Sequence, residues 1–214
     1  MPIPDFDHNQ VIPPHLGDPR IRAQLSPYPT TSEEVCQKFA TSDARRDILR
    51  RWLRFREELT KLGVNSGFQW LDGSFLEQIE ILETRDPNDL DIVTFYLTPT
   101  GKTPMAFTAE VVASLPEFVD RDLAKKNFKL DHFPVTLTAN GAAIVENTRY
   151  WTGLFSHRRD GLWKGMLRVE LNTPAADIAA AILVQPAAAA APAAAMPAAP
   201  AAPTTTAAAT TPTP

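Results

Sequence analysis

Asp89 and Asp91 stand two apart in "NDLDIV", one ahead of an apolar run and one inside it. Side chains two apart on a strand leave by the same face. Carboxylates held that close repel each other unless a cation lies between them. Hard oxygen ligands of this kind suit Mg²⁺ or Mn²⁺, and magnesium usually keeps waters and completes its shell with substrate phosphates. A phosphate cradle lies upstream at Gly73-Ser74, where glycine admits the close approach of backbone and the Ser74 hydroxyl can donate to phosphoryl oxygens. Asp131 in "FKLDHFPV" is the candidate third acid, because a carboxylate among Phe128, Leu130, Phe133 and Val135 is costly to bury. In a two-metal arrangement Asp89 and Asp91 would hold both ions, while Asp131 would complete one of them and orient or deprotonate an attacking hydroxyl. The chemistry of such a set is in-line attack on the α-phosphate of a nucleoside triphosphate, with release of pyrophosphate.

These residues need elements to position them. Thr31 and Glu34 have capping-box spacing and predict a short helix that turns Val35 and Phe39 inward. Ser42 or Asp43 caps a longer helix, in which Ile48, Leu49, Trp52, Leu53, Phe55, Leu59 and Leu62 recur at helical spacing before Gly63. Phe68 to Leu71 and Leu90 to Tyr96 read as strands, "MAFTAEVVASL" and "EFVDRDLAKKN" as helices around Pro116, and "FKLDHFPVTLT" as a further strand. Tyr150 to Phe155, a turn at Asp160-Gly161 and "KGMLRVEL" read as a hairpin, and "PAADIAAAILV" as a last helix. The sum is an α/β (α+β) domain, a mixed β-sheet flanked by helices.

Composition frames the domain. Prolines crowd the first thirty residues and predict an extended arm over residues 1–30, followed by a domain over 31–185. From Pro186 to Pro214 the chain is Ala, Pro and Thr with one Met196, too poor in apolar and charged side chains to order itself, so a disordered tail is expected. The net charge of -4 argues against broad nonspecific nucleic-acid binding. Cys36 is the only cysteine, so no intrachain disulfide forms. Without a signal-like N-terminus or a stretch of membrane length, a cytoplasmic protein is expected and no membrane partner. Oligomeric state is not legible.

Gly73-Ser74, then fourteen residues, then Asp89-Leu90-Asp91 and the later Asp131 resembles the nucleotidyltransferase superfamily, with its polymerase-beta-type fold. More closely, the chain is similar to an uncharacterised bacterial family of nucleotidyltransferase-like proteins. The resemblance is carried by the Val11-Ile12-Pro13-Pro14 arm, the arginine-containing helix from Arg45 to Leu62, "DGSF" at Asp72 to Phe75, "PNDLDIV" at Pro87 to Val93, Asp131, and Lys164-Gly165. It covers most of the chain up to about Leu171 and none of the tail. It implies transfer of a nucleoside monophosphate, most often from ATP, to a hydroxyl of a protein, an RNA end or a small molecule, in some cases within toxin-antitoxin systems. It also implies Lys164 and Arg168 as candidate phosphate ligands. The linker "FLEQIEILETRDPN" departs from the superfamily pattern, being acidic and carrying Asp86-Pro87 where a full helix is usual.

Other readings of the same residues stand beside these. Asp89 and Asp91 could be solvated carboxylates capping a turn, Gly73-Ser74 a plain turn, and Asp131 the partner of Lys129 or of a nearby arginine. Arg45, Arg46, Arg50, Arg51, Arg54 and Arg56 read first as a solvated face and second as a docking site for RNA, a triphosphate or an acidic partner. Trp70, Trp151 and Trp163 read as packing, His132 as sheet filler, and the four histidines show no zinc spacing. As a whole, the alternatives to an enzyme of this kind are an inactive binding module, serving as antitoxin or scaffold, and a two-metal phosphoesterase.

Overall fold

The computed structural model describes residues 3–186, so the tail expected from Pro186 onward lies almost wholly outside the described residues. The proline-rich arm crosses the domain with Val11 and Ile12 fully buried, makes a 3-10 turn at Arg22–Gln24, and ends as strand β1, Tyr28–Thr30. That strand was not legible. Pro29 lacks a ladder donor, and β1 accordingly takes an edge of the sheet. Helix α1, Ser32–Phe39, opens with the expected capping box of Thr31 and Glu34. Ser42 caps α2, Asp43–Lys61, and the apolar stripe read from its spacing is buried throughout.

Strand β2, Gly67–Asp72, then leads through a 3-10 turn at Ser74–Leu76 and the four-residue α3, Ile79–Leu82, to β3, Leu90–Tyr96. The linker thus holds only short helical pieces, as its Asp86-Pro87 foretold. Helix α4, Pro104–Ser114, a 3-10 turn at Pro116–Phe118 and α5, Arg121–Phe128, precede β4, Leu130–Thr136. The expected hairpin is absent. Tyr150 to Phe155 belong instead to α6, Gly141–Phe155, capped by the Asn140 side chain. Its buried side chains, Trp151 and Phe155, lie four apart, a helical spacing that the string of aromatic and threonine residues conceals. The turn at Asp160-Gly161 does form, but it connects α6 to β5, Leu167–Glu170, and α7, Pro174–Leu183, closes the domain.

The five strands run in the order β1-β5-β2-β3-β4. β2 is antiparallel to both neighbours, while the β1–β5 and β3–β4 pairs are parallel. One face carries Leu71, Leu90, Ile92, Leu130 and Leu167 into the main core with Ile48, Leu49, Trp52 and Phe55 of α2. The other carries Trp70, Val93, Phe95 and Val135 against Trp151 and Phe155 of α6. At about 1.5–3 kcal/mol for each large apolar side chain buried, these two residues are α6's main anchor.

A chain of buried polar groups runs across the main-core face. Trp52 Nε1 donates to Gln69 Oε1 at 2.9 Å, Gln69 Nε2 donates to Thr94 Oγ1 at 3.1 Å, and His132 Nε2 lies 2.8 Å from the same hydroxyl. Burial pushes His132 down to about 3, so the ring is neutral. Leaving any of these groups unpaired is costly, and a one-residue slip of β2 or β4 would unpair them. The network therefore fixes which face every other residue of these strands takes.

The arginine run is not a solvated face in its entirety. Arg45 and Arg56 are each 2% exposed, and Arg56 ties α2 to Gln69, Asp177, Thr173 and the Glu170 carbonyl. Arg46, Arg50 and Arg51 make local pairs with Asp43 and Asp47. Trp163 corrects the packing expectation, standing 64% exposed. No helix among the described residues is long and apolar enough to cross a membrane.

Candidate functional site

Strand register brings three acids into one row. Asp72 pairs with Asp91 across β2 and β3, and Asp91 pairs with Asp131 across β3 and β4. Paired positions on neighbouring strands share a face, and Asp89, two residues before Asp91, leaves by that face as well. All four line a cleft of about 710 Å³ together with Gly73, Ser74, Arg121, Lys125, Arg158 and Lys164. The sequence-predicted residues are thus brought together. Asp72 is the addition: it reads as part of a turn in the sequence, and only the antiparallel register with Asp91 reveals it as a member of the row.

Asp91 is the carboxylate without a counterion. Burial first, then the charges of Asp89 and Asp131, push it from its ordinary 3.8 up to about 7, against a smaller opposing pull from the charges of Lys164 and Lys125, neither of which donates a hydrogen bond to it. Gly73 explains how it fits. With φ at +85°, Gly73 holds a conformation that strains other residues, and a Cβ there would overlap the Asp91 carboxylate. Replacing Gly73 by Ala is expected to cost about 1–3 kcal/mol in urea unfolding. It should also displace Asp91. Unfolding midpoints equal to wild type would show that the turn and Asp91 are not in close contact.

Asp72 is 4% exposed and is raised to about 7, chiefly by burial. Lys164 Nζ sits 3.1 Å from Asp72 Oδ1, within ion-pair reach but off the line of a hydrogen bond, which leaves that oxygen without a donor. The same ammonium donates to Glu77 Oε1 at 2.9 Å and to the Gly73 carbonyl at 3.2 Å. Burial opposes the charge on Lys164, but Asp72 and Glu77 outweigh it and raise its pKa. Lys164 thus lines the cleft with two of its donors spent on the turn and Asp72 beside the ammonium. Arg168 lies outside the cleft, over the Phe68 ring.

Asp131 is held on its two oxygens by the Arg121 guanidinium, and Lys125 Nζ bridges Asp131 Oδ2 at 3.2 Å and Asp89 Oδ2 at 3.0 Å. Burial would raise Asp131, but the bonds from Arg121 and Lys125 outweigh it and hold the carboxyl below its ordinary value. Of the two partners that the sequence offers Asp131, Lys129 or a nearby arginine, it is an arginine, Arg121, that pairs with it, and Lys129 pairs with Asp47. It closes α5 in the left-handed conformation, φ 53°, and so turns the chain back to set the α5 cations over β4. Neither Arg121 nor Lys125 stood out in sequence, for their offsets of ten and six residues from Asp131 match no single-element period.

Two further pieces hold the turn in place. Arg45 donates to the carbonyls of Phe75 and Glu77 and pairs with Glu80, reaching from α2 across the 3-10 turn. From the other side, the arm adds a bond from Gln78 N to Gln10 O, while Gly165 N donates to Ile12 O at 2.6 Å. Gly165 leaves room for that contact, since a Cβ would run into the Pro13 carbonyl. The arm, the "DGSF" turn and Lys164-Gly165 are one packed unit.

Four carboxylates on one sheet face, one of them raised and unpaired, make a hard-oxygen donor set that fits a divalent cation such as Mg²⁺ or Mn²⁺. Among the described residues no three carboxylate, histidine or cysteine side chains form a group that could hold a metal ion by themselves. Arg121, Lys125 and Lys164 are the cations beside Asp131, Asp89 and Asp72.

Fold and cleft together define an α+β domain with a five-stranded mixed sheet and a row of acids at one end of it. The chain belongs to a family of unknown function (DUF6932), whose model matches residues 4–170, from the arm through β5. No curated protein and no solved structure matches the chain.

Proposed function

We propose that the cleft transfers a nucleoside monophosphate from a nucleoside triphosphate, ATP the expected donor, to a hydroxyl of a protein, RNA or small-molecule acceptor in the cytoplasm. The observation that carries this is the unpaired Asp91, set between Asp72 and Asp131 and pressed against Gly73. The nucleotidyltransferase resemblance of "DGSF" and "PNDLDIV" points the same way. Asp89, Asp91 and Asp131 would hold Mg²⁺ or Mn²⁺, with Asp72 behind them. When bound, such an ion neutralises charge that develops on the phosphates and lowers the pKa of an attacking oxygen. Ser74 and Gly73 border the position of the triphosphate. The acceptor oxygen bonds to the α-phosphorus, the bond to the β-phosphate oxygen breaks, and pyrophosphate leaves with that electron pair. The proton of the acceptor passes to a cleft carboxylate. Asp72, raised by burial to about 7 and set behind the three acids that would hold the ion, is the carboxylate suited to accept that proton, whereas Asp131 is a weak base while Arg121 holds it.

One observation favours a second reading. Three of the four carboxylates already have cations of the chain beside them, as in a domain that keeps the fold without the reaction, an antitoxin or scaffold. Calorimetry with a non-hydrolysable ATP analogue and Mg²⁺ is expected to show binding that EDTA abolishes. Incubation with α-phosphate-labelled ATP and cellular protein or RNA fractions is expected to label an acceptor and release pyrophosphate. Absence of binding sinks the enzymatic reading. Binding without label transfer to any fraction selects the binding module.

A further inference from the structure

Resting on the nucleotidyl-transfer reading above, we infer that Arg121 and Lys125 are exchangeable counterions. In the ligand-free protein they occupy the carboxylates of Asp131 and Asp89, and they turn to the phosphates of the donor when a divalent cation takes those carboxylates.

The asymmetry of burial supports this. The Asp131 side chain is 8% exposed and fixed on β4, whereas those of Arg121 and Lys125 are 54% and 43% exposed. They lie four residues apart on α5, on the side that faces the cleft. A half-exposed cation on a long side chain regains water when it leaves, while a buried carboxylate cannot follow it and must be given another cation in its place. Lys164 is the contrast within the same cleft: buried, and bonded to a backbone carbonyl that cannot move away. Beside the row of acids, Lys164 is therefore the fixed cation and Arg121 and Lys125 the removable ones.

Charge balance gives the exchange its direction. Asp89, Asp91 and Asp131 face two α5 cations, which pair with Asp131 and Asp89 and leave Asp91 without an ion-pair partner of its own. An ion arriving alone must expel Arg121 and Lys125 into water. An ion arriving with a triphosphate gives them new partners a few ångströms away, and guanidinium binds phosphate oxygens as readily as carboxylate oxygens. Metal and polyphosphate then strengthen each other's binding, and the coupling is reciprocal.

The test is Mn²⁺ titration followed by electron paramagnetic resonance, with and without a non-hydrolysable ATP analogue. In wild type the analogue is expected to tighten Mn²⁺ binding by about tenfold or more. In the Arg121→Gln/Lys125→Gln variant, Mn²⁺ alone is expected to bind about tenfold more tightly than in wild type, and the enhancement by the analogue to fall to about threefold or less. Lys125→Gln alone should move both quantities the same way, which covers a double variant that folds poorly. Lys126→Gln, on the same helix but outside the cleft, should move neither. An unchanged Mn²⁺ affinity in the double variant, or an undiminished enhancement, overturns the exchange while leaving the transfer reading standing. If wild type binds no Mn²⁺ under either condition, both fall together. Loss of Mn²⁺ binding in Asp91→Asn, with the double variant behaving as wild type, isolates the failure to the exchange.

Discussion

Replacing Asp91 by Asn is expected to lower nucleotidyl transfer by about a thousandfold or more, and yet to raise the melting temperature at neutral and alkaline pH. On the proposed reading the loss follows from placing Asp91 between metal ions, where a carboxylate supplies several kcal/mol of charge stabilisation in the transition state, each 1.36 kcal/mol being about tenfold in rate. The gain follows from its cost in the free protein. Burial and two neighbouring acids move Asp91 from 3.8 to about 7. At about 1.4 kcal/mol per pKa unit, the ionised form costs at most about 4 kcal/mol. The sign is fixed by proton binding. Between 3.8 and about 7 the folded state holds a proton that the unfolded state has released, so stability falls as pH rises through that interval. Asn removes this penalty. The melting temperature of the variant should exceed that of wild type by several degrees near pH 8, and the difference should vanish near pH 4. Added Mg²⁺ should close the gap from the other side by stabilising wild type alone. A difference that does not change with pH would mean that Asp91 carries no buried charge.

Replacing Arg45 by Met is expected to destabilise the protein by about 2–5 kcal/mol, chiefly the cost of leaving two buried carbonyls without their donor, with a smaller share from the lost pair to the half-exposed Glu80. Arg45 is 2% exposed, and its guanidinium is the donor that reaches the carbonyls of Phe75 and Glu77. Methionine fills the space but leaves both acceptors and the Glu80 carboxylate without that donor. Arg46→Met, one residue further along α2, should cost less than about 1 kcal/mol, because that side chain is more open to water and pairs with the exposed Asp43. Urea midpoints of the two variants give the comparison directly. Similar midpoints would refute the distinction between a buried and an exposed arginine on this helix. The Met variant should also weaken nucleotide binding, since it releases the turn that carries Gly73 and Ser74.

Local signals accounted for much of what was legible. The Thr31 and Ser42 caps, the apolar stripe of α2 and the β-branched run from Leu90 to Tyr96 each depend on near neighbours, and each lies where its pattern placed it. Asp89, Asp91 and Asp131 were legible as candidates because an acid beside or inside an apolar run is costly, a property of the segment alone. What was hidden depends on pairing between segments. Asp72 joins the row only through antiparallel register with Asp91. Arg121 and Lys125 reach Asp131 only because Lys129 reverses the chain. Arg45 and Arg56 could not be told from their neighbours, since a run of arginines carries no mark of which members meet buried carbonyls. The end of α6, Tyr150 to Phe155, reads as half of a hairpin because its aromatic and β-branched residues suit a strand, whereas the Asn140 cap ten residues earlier is the local mark of the helix.

The place of β5 in the sheet bears on how the protein is made. It lies between β1 and β2, although among the described residues it is the last strand to leave the ribosome. About a hundred residues separate β2 from it, so the edge of β2, with Phe68, Trp70 and Leu71, waits unpaired for roughly 5–20 seconds at ordinary rates of synthesis. Such an edge is sticky toward other nascent chains. The acids of β2, β3 and β4 can assemble during that wait, but the Lys164 that neutralises Asp72 emerges only just ahead of the closing strand. Completion of the sheet and of its charge balance is therefore a single, late event.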